Sequence, residues 1–372
     1  MSSCGSLVPL QVRDYALMTT LQRLGITIPI VQAPMAGIST PPMAAAVSNA
    51  GALGSIAIGA TDVAGARSMI TETRALTGRP FNVNLFVHAE PKADEARAQN
   101  WLNALRPLFQ IHGAEPPATL RKIYKSFAVD DEMLSLVLEV RPKIVSFHFG
   151  VPGADYIQAL RQAGCVLMAS ATSLAEAQAV ADAGIDIVIA QGWEAGGHRG
   201  IFNPAAPDER LGTFALTHLL VKQSRLPVIA AGGIMDGAGI NAVRALGAVA
   251  AQLGTAFIAC PESNADEAYR AALAGAGTKH TIMTAAISGR PARCLANAFT
   301  NWGEAGAPAD IPAYPFAYNA GKALNAAAKA LGESGYGAQW AGQGAPLLRP
   351  MTAAALVNLL WQEATVPTAT VT

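Results

Sequence analysis

The sequence has little charge of either sign, and its aromatic content is low. Charged residues make up 14% of the 372 positions, aromatic residues make up 6%, and 26 Lys and Arg balance 26 Asp and Glu. A formal net charge of zero gives no electrostatic attraction to nucleic acid or anionic lipid, so neither partner is expected. Apolar residues make up 51%. That fraction excludes a disordered chain and is enough for a large core.

Signals for export, membrane insertion and disulfide formation are also missing. The N-terminal segment lacks the basic start and unbroken apolar stretch of a secretory signal. No run of about 18 apolar residues occurs, so no membrane span is expected. The cysteines form no C-x-x-C pair and lie far apart, at Cys4, Cys165, Cys260 and Cys294. These absences favour a cytoplasmic protein with reduced thiols.

Short runs rich in β-branched residues alternate with helical patterns along most of the chain. Eight runs are predicted to be strands: Ile30–Ala33, Leu53–Ile56, Phe81–Asn84, Ile144–Phe147, Val166–Ala169, Ile185–Ala190, Val228–Ala231 and Ala248–Gln252. The predicted helices include Pro41–Ala50, Ala64–Leu76, Ala154–Ala163, Leu174–Ala183, Phe214–Gln223, Ala238–Leu246 and Thr352–Glu363. Apolar strands separated by helices are typical of a parallel sheet covered on both faces. We therefore predict an α/β fold, a TIM (β/α)8 barrel, with a doubly wound open sheet as the alternative.

Two longer stretches interrupt this alternation. Residues 88–130 are rich in charge and proline, and residues 258–346 carry many aromatic residues and glycines. We expect both to lie over the face of the barrel at which the strands end. The predicted organisation is a barrel over residues 1–257, completed by residues 346–372, with an inserted smaller subdomain over residues 258–345 that covers the substrate.

Six of the predicted strands lead into motifs that contain glycine or polar residues. In chain order these motifs are QAPMAG, NVNLFVH, SFHFG, QGWEAGGHRG, AAGGIMDG and QLGTAF. Active-site residues of TIM barrels lie at the carboxyl ends of the strands. The six motifs therefore predict one active site at the mouth of the barrel.

The last two motifs have the composition of a phosphate site. Loops after the seventh and eighth strands bind phosphate in many such barrels, and glycine lets the main chain approach a ligand closely. Gly232, Gly233, Gly254 and Thr255 are the candidates; ordinary tight turns between strand and helix are the alternative. The segment GAGINA fits a dinucleotide pattern but starts six residues after its strand ends, so it is a weak match.

Two histidines occupy positions suited to chemistry. His148 follows the fourth predicted strand, where an imidazole could remove a carbon-bound proton or hold an anion. The alternative is a core histidine satisfied by the main chain. His198 ends a glycine-rich loop, four residues after Glu194, but no third ligand stands at recognisable spacing. A metal site is therefore not expected.

Taken in order, the six motifs resemble those of the nitronate monooxygenase family, once called 2-nitropropane dioxygenases. The later segment WAGQGAPLLR is similar to bacterial class I members. The resemblance runs from about Ile28 to Glu363. It implies FMN held without a covalent bond, and oxidation of alkyl nitronates, including propionate 3-nitronate, by O2. The expected products are a carbonyl compound and nitrite, formed after one-electron transfer to the flavin.

The resemblance also assigns roles to individual residues. It implies FMN contacts from Met35, Asn84, Gln191, Gly196, Gly233, Gln252, Leu253, Gly254 and Thr255. It identifies His148 as the catalytic residue, which would deprotonate a neutral nitroalkane or orient a nitronate. The implied substrate-binding residues are His198, Tyr124, Tyr314, Tyr318 and Lys322.

The residues themselves leave alternatives to these roles open. Four-residue spacing would place Tyr314, Tyr318 and Lys322 on one helical face, if that segment is helical. Without the resemblance, tyrosine packing and a solvated lysine remain the plainer interpretations. Two other functions also fit the glycine-rich motifs. One is an FMN-dependent NAD(P)H:quinone or enoyl-thioester reductase on the same scaffold, and the other is a noncatalytic FMN- or phosphate-binding protein.

Overall fold

The strands follow from β-branched, apolar sequences that are buried on both faces. The computed structural model describes residues 10–366. Cys4 and the outer ends of the predicted barrel domain therefore lie outside the described residues. The strands are β1 Ile30–Gln32, β2 Gly54–Ala57, β3 Phe81–Phe86, β4 Ile144–His148, β5 Val166–Ala171, β6 Ile187–Gln191, β7 Gly197–His198, β8 Val228–Ala231, β9 Ala250–Leu253, β10 Thr281–Thr284 and β11 Ala292–Leu295.

Eight of these strands form one parallel sheet that closes on itself. Its order is β1-β9-β8-β6-β5-β4-β3-β2, and all its pairings are parallel. A parallel bridge between Val31 and Leu53 joins its two edge segments. The predicted TIM barrel is confirmed, and the open doubly wound sheet is excluded because the edges meet.

Helices cover the outside of the barrel and build the segments above it. They are α1 Leu10–Leu24, α2 Pro41–Asn49, α3 Val63–Leu76, α4 Glu95–Ile111, α5 Asp131–Val140, α6 Ala154–Gln162, α7 Leu174–Asp182, α8 Thr213–Gln223, α9 Gly237–Leu246, α10 Thr255–Ile258, α11 Glu267–Ala274, α12 Ala298–Gly306, α13 Phe316–Ala330 and α14 Ala353–Thr365. Short 3-10 turns lie at Phe127–Val129, Ala276–Lys279 and Ala345–Leu347. None of the helices within residues 10–366 is long and apolar enough to cross a membrane.

Local capping explains where several helices begin. Thr40 and Asp62 accept main-chain hydrogen bonds at the starts of α2 and α3, and Pro41 occupies the first turn of α2. Thr352 caps α14 in the same way, and this helix begins at Ala353, one residue after its predicted start. GAGINA forms the first turns of α9, and its first amide donates to Glu363. The segment is therefore helix and not a phosphate loop.

The residues above the barrel mouth come from more than one part of the chain. β10 and β11 pair antiparallel, and the two-residue strand β7, from the loop after β6, pairs with β11. α4 packs in the same apolar cluster as α12 and α13. The segments above the barrel mouth thus include the loop after β6 and a helix of the 88–130 stretch, in addition to the predicted residues 258–345.

Candidate active site

Alternation along the strands aims polar side chains into the barrel near its mouth. Successive residues of a strand point to opposite faces. In β4, Val145 and Phe147 belong to the outer core, while Ile144 belongs to the inner cluster. The same alternation turns Ser146 and His148 inward, toward a cavity. On β4 the inward-facing side chains therefore change from apolar at the start of the strand to polar at its carboxyl end.

All the site residues predicted from the sequence line one cavity of about 370 Å³. The predicted cofactor set is present: Met35, Asn84, Gln191, Gly196, Gly233, Gln252, Leu253, Gly254 and Thr255. So is the predicted catalytic and substrate set: His148, His198, Tyr124, Tyr314, Tyr318 and Lys322. The structure thus brings these residues together at one place, as the barrel prediction required.

One end of the cavity is built from main chain. Gly233, Gly254 and Thr255 line it, and within the described residues their amides donate to no other group. Gly233 has a φ of 67°, and a side chain there would contact the side chain of Glu194. Glu194 in turn accepts hydrogen bonds from the amide and hydroxyl of Thr213. Unpaired amides in a glycine-lined wall suit an anion such as a phosphate.

The strand that leads into this end of the cavity carries an unpaired amide oxygen. Gln252 lines the cavity from β9, and its Oε1 is buried without a hydrogen-bond partner in the described structure. A buried acceptor left unpaired costs free energy, so a donor from a bound group fits there. Together with the free amides beside it, this acceptor fits a polar ring attached to a phosphate. The residues present are therefore compatible with FMN.

The carbonyl of His198 is fixed by two side chains from β4 and β6, the strands on either side of β5. Gln191 Nε2 donates to it at 3.0 Å, and the His148 imidazole contacts it through Nε2 at 3.1 Å. Gln191 Oε1 also accepts from the Gly200 amide at 2.6 Å. The Gln191 amide, predicted to bind the flavin, thus also secures the glycine-rich loop that carries His198.

These contacts determine which histidine nitrogens hold protons. Nε2 of His148 faces a carbonyl, so it must donate; Nδ1 then accepts from Ser170 Oγ at 3.0 Å. Nε2 of His198 contacts Ser288 Oγ at 2.9 Å, and that hydroxyl donates to the carbonyl of Arg290. His198 Nδ1 has no partner in the described residues and is not among the solvent-excluded atoms. Its lone pair is accessible.

Burial keeps both imidazoles neutral. Desolvation lowers the pKa of His148 to about 4, against a smaller opposing effect of its hydrogen bond to the His198 main chain. Desolvation, helped by the neighbouring His148, lowers the pKa of His198 to about 3. At neutral pH each ring therefore has one unprotonated nitrogen and carries no charge.

Aromatic side chains enclose the other end of the cavity. Phe86, Phe149 and Tyr314 form a buried cluster, with Tyr124 and Tyr318 packed against it. The cluster continues to the histidines, because the Phe149 ring lies 4.5 Å from His148 and 5.6 Å from His198 between ring centroids. This end provides an apolar, mostly water-excluding wall next to two neutral bases.

The segment YPFAYNAGK is helical only in part. α13 begins at Phe316, so Tyr318 and Lys322 share a helix face while Tyr314 precedes the helix. The expected three-residue helical face was wrong for Tyr314, because the chain turns at Pro315 before the helix starts. All three side chains still reach the cavity, and Lys322 Nζ lies 5.3 Å from the rings of Tyr124 and Tyr318.

Two residues at or beside the site were not predicted from the sequence. Ser170 was missed although β5 alternates Met168 and Ser170 inward, a signal that the strand pattern contains. His88 was given no role. It is 2% exposed, its ring lies 5.1 Å from that of Tyr314, and neither ring nitrogen has a hydrogen-bond partner in the described structure. No local pattern signals that contact, because residues 88 and 314 are far apart in the chain.

Comparison with known proteins agrees with this geometry. The family model described as nitronate monooxygenase matches residues 18–363. The chain is 60% identical to a nitronate monooxygenase of Paraburkholderia phytofirmans, covering 92% of this chain and 94% of that one. It is 53% identical to a nitronate monooxygenase of Pseudomonas aeruginosa, covering 91% and 97% respectively.

Solved structures give the same result for the fold. A nitroalkane oxidase from Streptomyces ansochromogenes superimposes with a TM-score of 0.85 at 39% identity, covering 94% of this chain and 97% of that one. FabK from Thermotoga maritima superimposes with a TM-score of 0.70 at 29% identity, covering 96% of each chain. The barrel and the segments above it are thus shared with both proteins.

Proposed function

The chain belongs to the nitronate monooxygenase family, and we propose that it uses FMN and O2 to oxidise alkyl nitronates such as propionate 3-nitronate. The products would be a carbonyl compound and nitrite. The observation that supports this proposal best is the division of one cavity into a main-chain anion site and an aromatic end with two neutral histidines. A flavin can span such a cavity with its ring next to the histidines.

The main-chain end would hold the FMN phosphate through the amides of Gly233, Gly254 and Thr255. Met35, Asn84, Gln191, Gly196, Gln252 and Leu253 would contact the rest of the cofactor. Bound FMN would supply one-electron oxidation of the substrate and transfer of electrons to O2, chemistry that amino-acid side chains do not provide. The protein supplies orientation, an enclosed pocket and control of protons.

The aromatic end would hold the substrate. A nitronate is already deprotonated, so it needs orientation and compensation of its charge and no base. His148, His198, Tyr124, Tyr314 and Tyr318 would orient it, and the exposed ammonium of Lys322 would attract it at the cavity mouth. Residues 258–345 would cover the substrate, since they contribute Tyr314, Tyr318 and Lys322.

A neutral nitroalkane would need a base, and we propose that His148 and His198 act as a catalytic pair. Nδ1 of His198 would take the proton, because its lone pair is accessible. His148 would contact the substrate and hold the His198 carbonyl through Nε2. Nδ1 of His148 already accepts a hydrogen bond from the Ser170 hydroxyl, so proton uptake there would require that hydrogen bond to break. Both rings are neutral at neutral pH and so keep an unprotonated nitrogen, while their lowered pKa makes each a weaker base than a free imidazole.

The test is anaerobic mixing of the FMN-loaded protein with propionate 3-nitronate and, separately, with NADH or NADPH. We expect the nitronate to change the flavin absorbance and, after air is admitted, to yield nitrite. Flavin bleaching by reduced nucleotide alone would instead support a quinone or enoyl-thioester reductase. Bound FMN that responds to neither reagent would support a noncatalytic binding protein.

A further inference from the structure

Arg290 is a buried cation without a carboxylate partner in the described structure. Its side chain is 3% exposed, and its Nη2 donates to the carbonyls of Ile201 and Phe202. Nε has no hydrogen-bond partner. Arg199, which is 1% exposed, provides a contrast because Asp208 lies 2.8 Å from its guanidinium. Burial of an unneutralised charge is unfavourable, so a nearby anion would stabilise Arg290.

The ring of Phe149 separates the charge of Arg290 from the aromatic end of the cavity. The guanidinium carbon of Arg290 is 4.2 Å from the centroid of Phe149. On other sides, the same ring contacts His148 at 4.5 Å and His198 at 5.6 Å between centroids. Phe149 has a left-handed φ of 77°, rare for a bulky residue, which holds the ring in this position.

Groups around Arg290 do little to cancel its charge. The adjacent His148 and His198 are neutral at pH 7, and burial also lowers the pKa of His88 to about 4. The Arg290 charge contributes to the lowered pKa of all three. Burial lowers the pKa of Arg290 to about 10, and Tyr314 and then Glu176 oppose that shift; Glu176 forms no ion pair with Arg290 in the described structure. Its oxygens accept from Thr172 and from the amide of Phe202.

We propose that Arg290 is a specificity-determining residue that makes this end of the cavity favour an anionic nitronate over the neutral nitroalkane with the same carbon skeleton. The inference rests on the proposed function. Arg290 would act through its field across Phe149, without touching the substrate. In a site shielded from water, such a charge changes anion affinity on the order of tenfold.

The experiment compares Arg290→Gln, which removes the charge, with Arg290→Lys, which keeps it. Ethyl nitronate and nitroethane are the paired substrates, and nitrate serves as a planar anion that is not oxidised. For Arg290→Gln we expect the KM for ethyl nitronate and the inhibition constant of nitrate to rise on the order of tenfold. The KM for nitroethane should change less than about twofold, and Arg290→Lys should keep the nitronate KM within about threefold.

Arg293→Gln is the matched control. Arg293 is also 3% exposed, donates to the carbonyl of Trp193 and lies over the Trp193 ring, whereas Arg290 lies over Phe149. Its replacement should leave the ratio of the two KM values unchanged. Equal losses with both substrates in Arg290→Gln, or the same ratio change in Arg293→Gln, would overturn the inference.

The Lys variant keeps the inference testable if Arg290→Gln fails to fold. A tenfold rise in nitronate KM for folded Arg290→Lys would show that guanidinium geometry matters and charge does not, which contradicts the proposal. Failure of the proposed function has a different signature, because the unmodified protein would then oxidise no nitronate at all.

Discussion

The two ends of the cavity are built in different ways. The main-chain end, which we propose binds the phosphate and call the anion end, is lined by amides from the loops after β8 and β9. Short motifs next to the strands encode it. The aromatic end, which we propose binds the substrate and call the substrate end, is made of side chains from β3, β4, the loop after β6 and the segment around α13. Main-chain sites depend on local backbone shape, whereas the aromatic end depends on how distant segments pack. Substitutions should therefore affect the two ends differently.

The largest effect should come from the histidines of the substrate end. With nitroethane, His198→Asn should lower kcat/KM by about 10²- to 10⁴-fold, because an asparagine cannot accept the proton. His148→Asn should also lose most nitroethane turnover, but less than His198→Asn, because its main role is orientation. Both variants should keep full flavin content. Steady-state nitrite release measures the rates, and nitroethane turnover unchanged in both variants would remove the pair from catalysis.

The anion end should respond through cofactor affinity. Gly233→Val should weaken FMN binding by about 10- to 100-fold, because a φ of 67° strains any side chain and the new atoms would press against Glu194, next to the amides proposed to bind the phosphate. Fluorescence titration of flavin-free protein gives the Kd. Gly332→Val is the control: its φ is 78°, and a Cβ there meets nothing within 4 Å. Similar FMN loss in both variants would show that strain alone is responsible.

Acid should destabilise the substrate end. Burial lowers the pKa of His88, His148 and His198, so below the ordinary value of about 6.5 the unfolded chain binds protons that the folded chain does not. Stability is therefore retained above that pH and lost as pH falls toward about 4, by up to about 1.4 kcal/mol per pH unit for each histidine. Urea unfolding at several pH values measures this slope. His88→Gln should reduce it, and an unchanged slope in that variant would contradict the role given to His88.

The smallest effect should come from Lys322. Its ammonium is exposed and lies over two tyrosine rings, where water screens its charge. Lys322→Met should raise the KM for propionate 3-nitronate by about threefold, and added salt should reduce the difference. Lys329→Met is the control, because Lys329 lies on the same helix but is paired with Asp266. A salt-independent change in KM would argue against an electrostatic role.

The barrel and the position of its glycine-containing loops could be predicted from sequence for a physical reason. Strands such as Val228–Ala231 are apolar because helices cover them, and their glycine motifs follow at once. Local patterns contain that information. The inward position of Ser170 was also available from alternation, since Met168 already points to the inner cluster.

The substrate end was harder to predict from sequence because its contacts join distant parts of the chain. Neither the position of His88 beside Tyr314 nor that of Arg290 over Phe149 produces any periodicity. Helix periodicity was also misleading at Tyr314, where the chain turns before α13. The family resemblance implied roles for Tyr124 and Lys322, and the local sequence alone would have assigned Lys322 to solvent.

A crystal structure of the protein with FMN is the most direct test of the two-ended cavity. We expect the phosphate within hydrogen-bond distance of the amides of Gly233, Gly254 and Thr255, and we expect no other phosphate position. We also expect the flavin ring beside His198, with a donor placed on Gln252 Oε1. A phosphate bound elsewhere, or a flavin ring turned away from the histidines, would contradict the proposed arrangement.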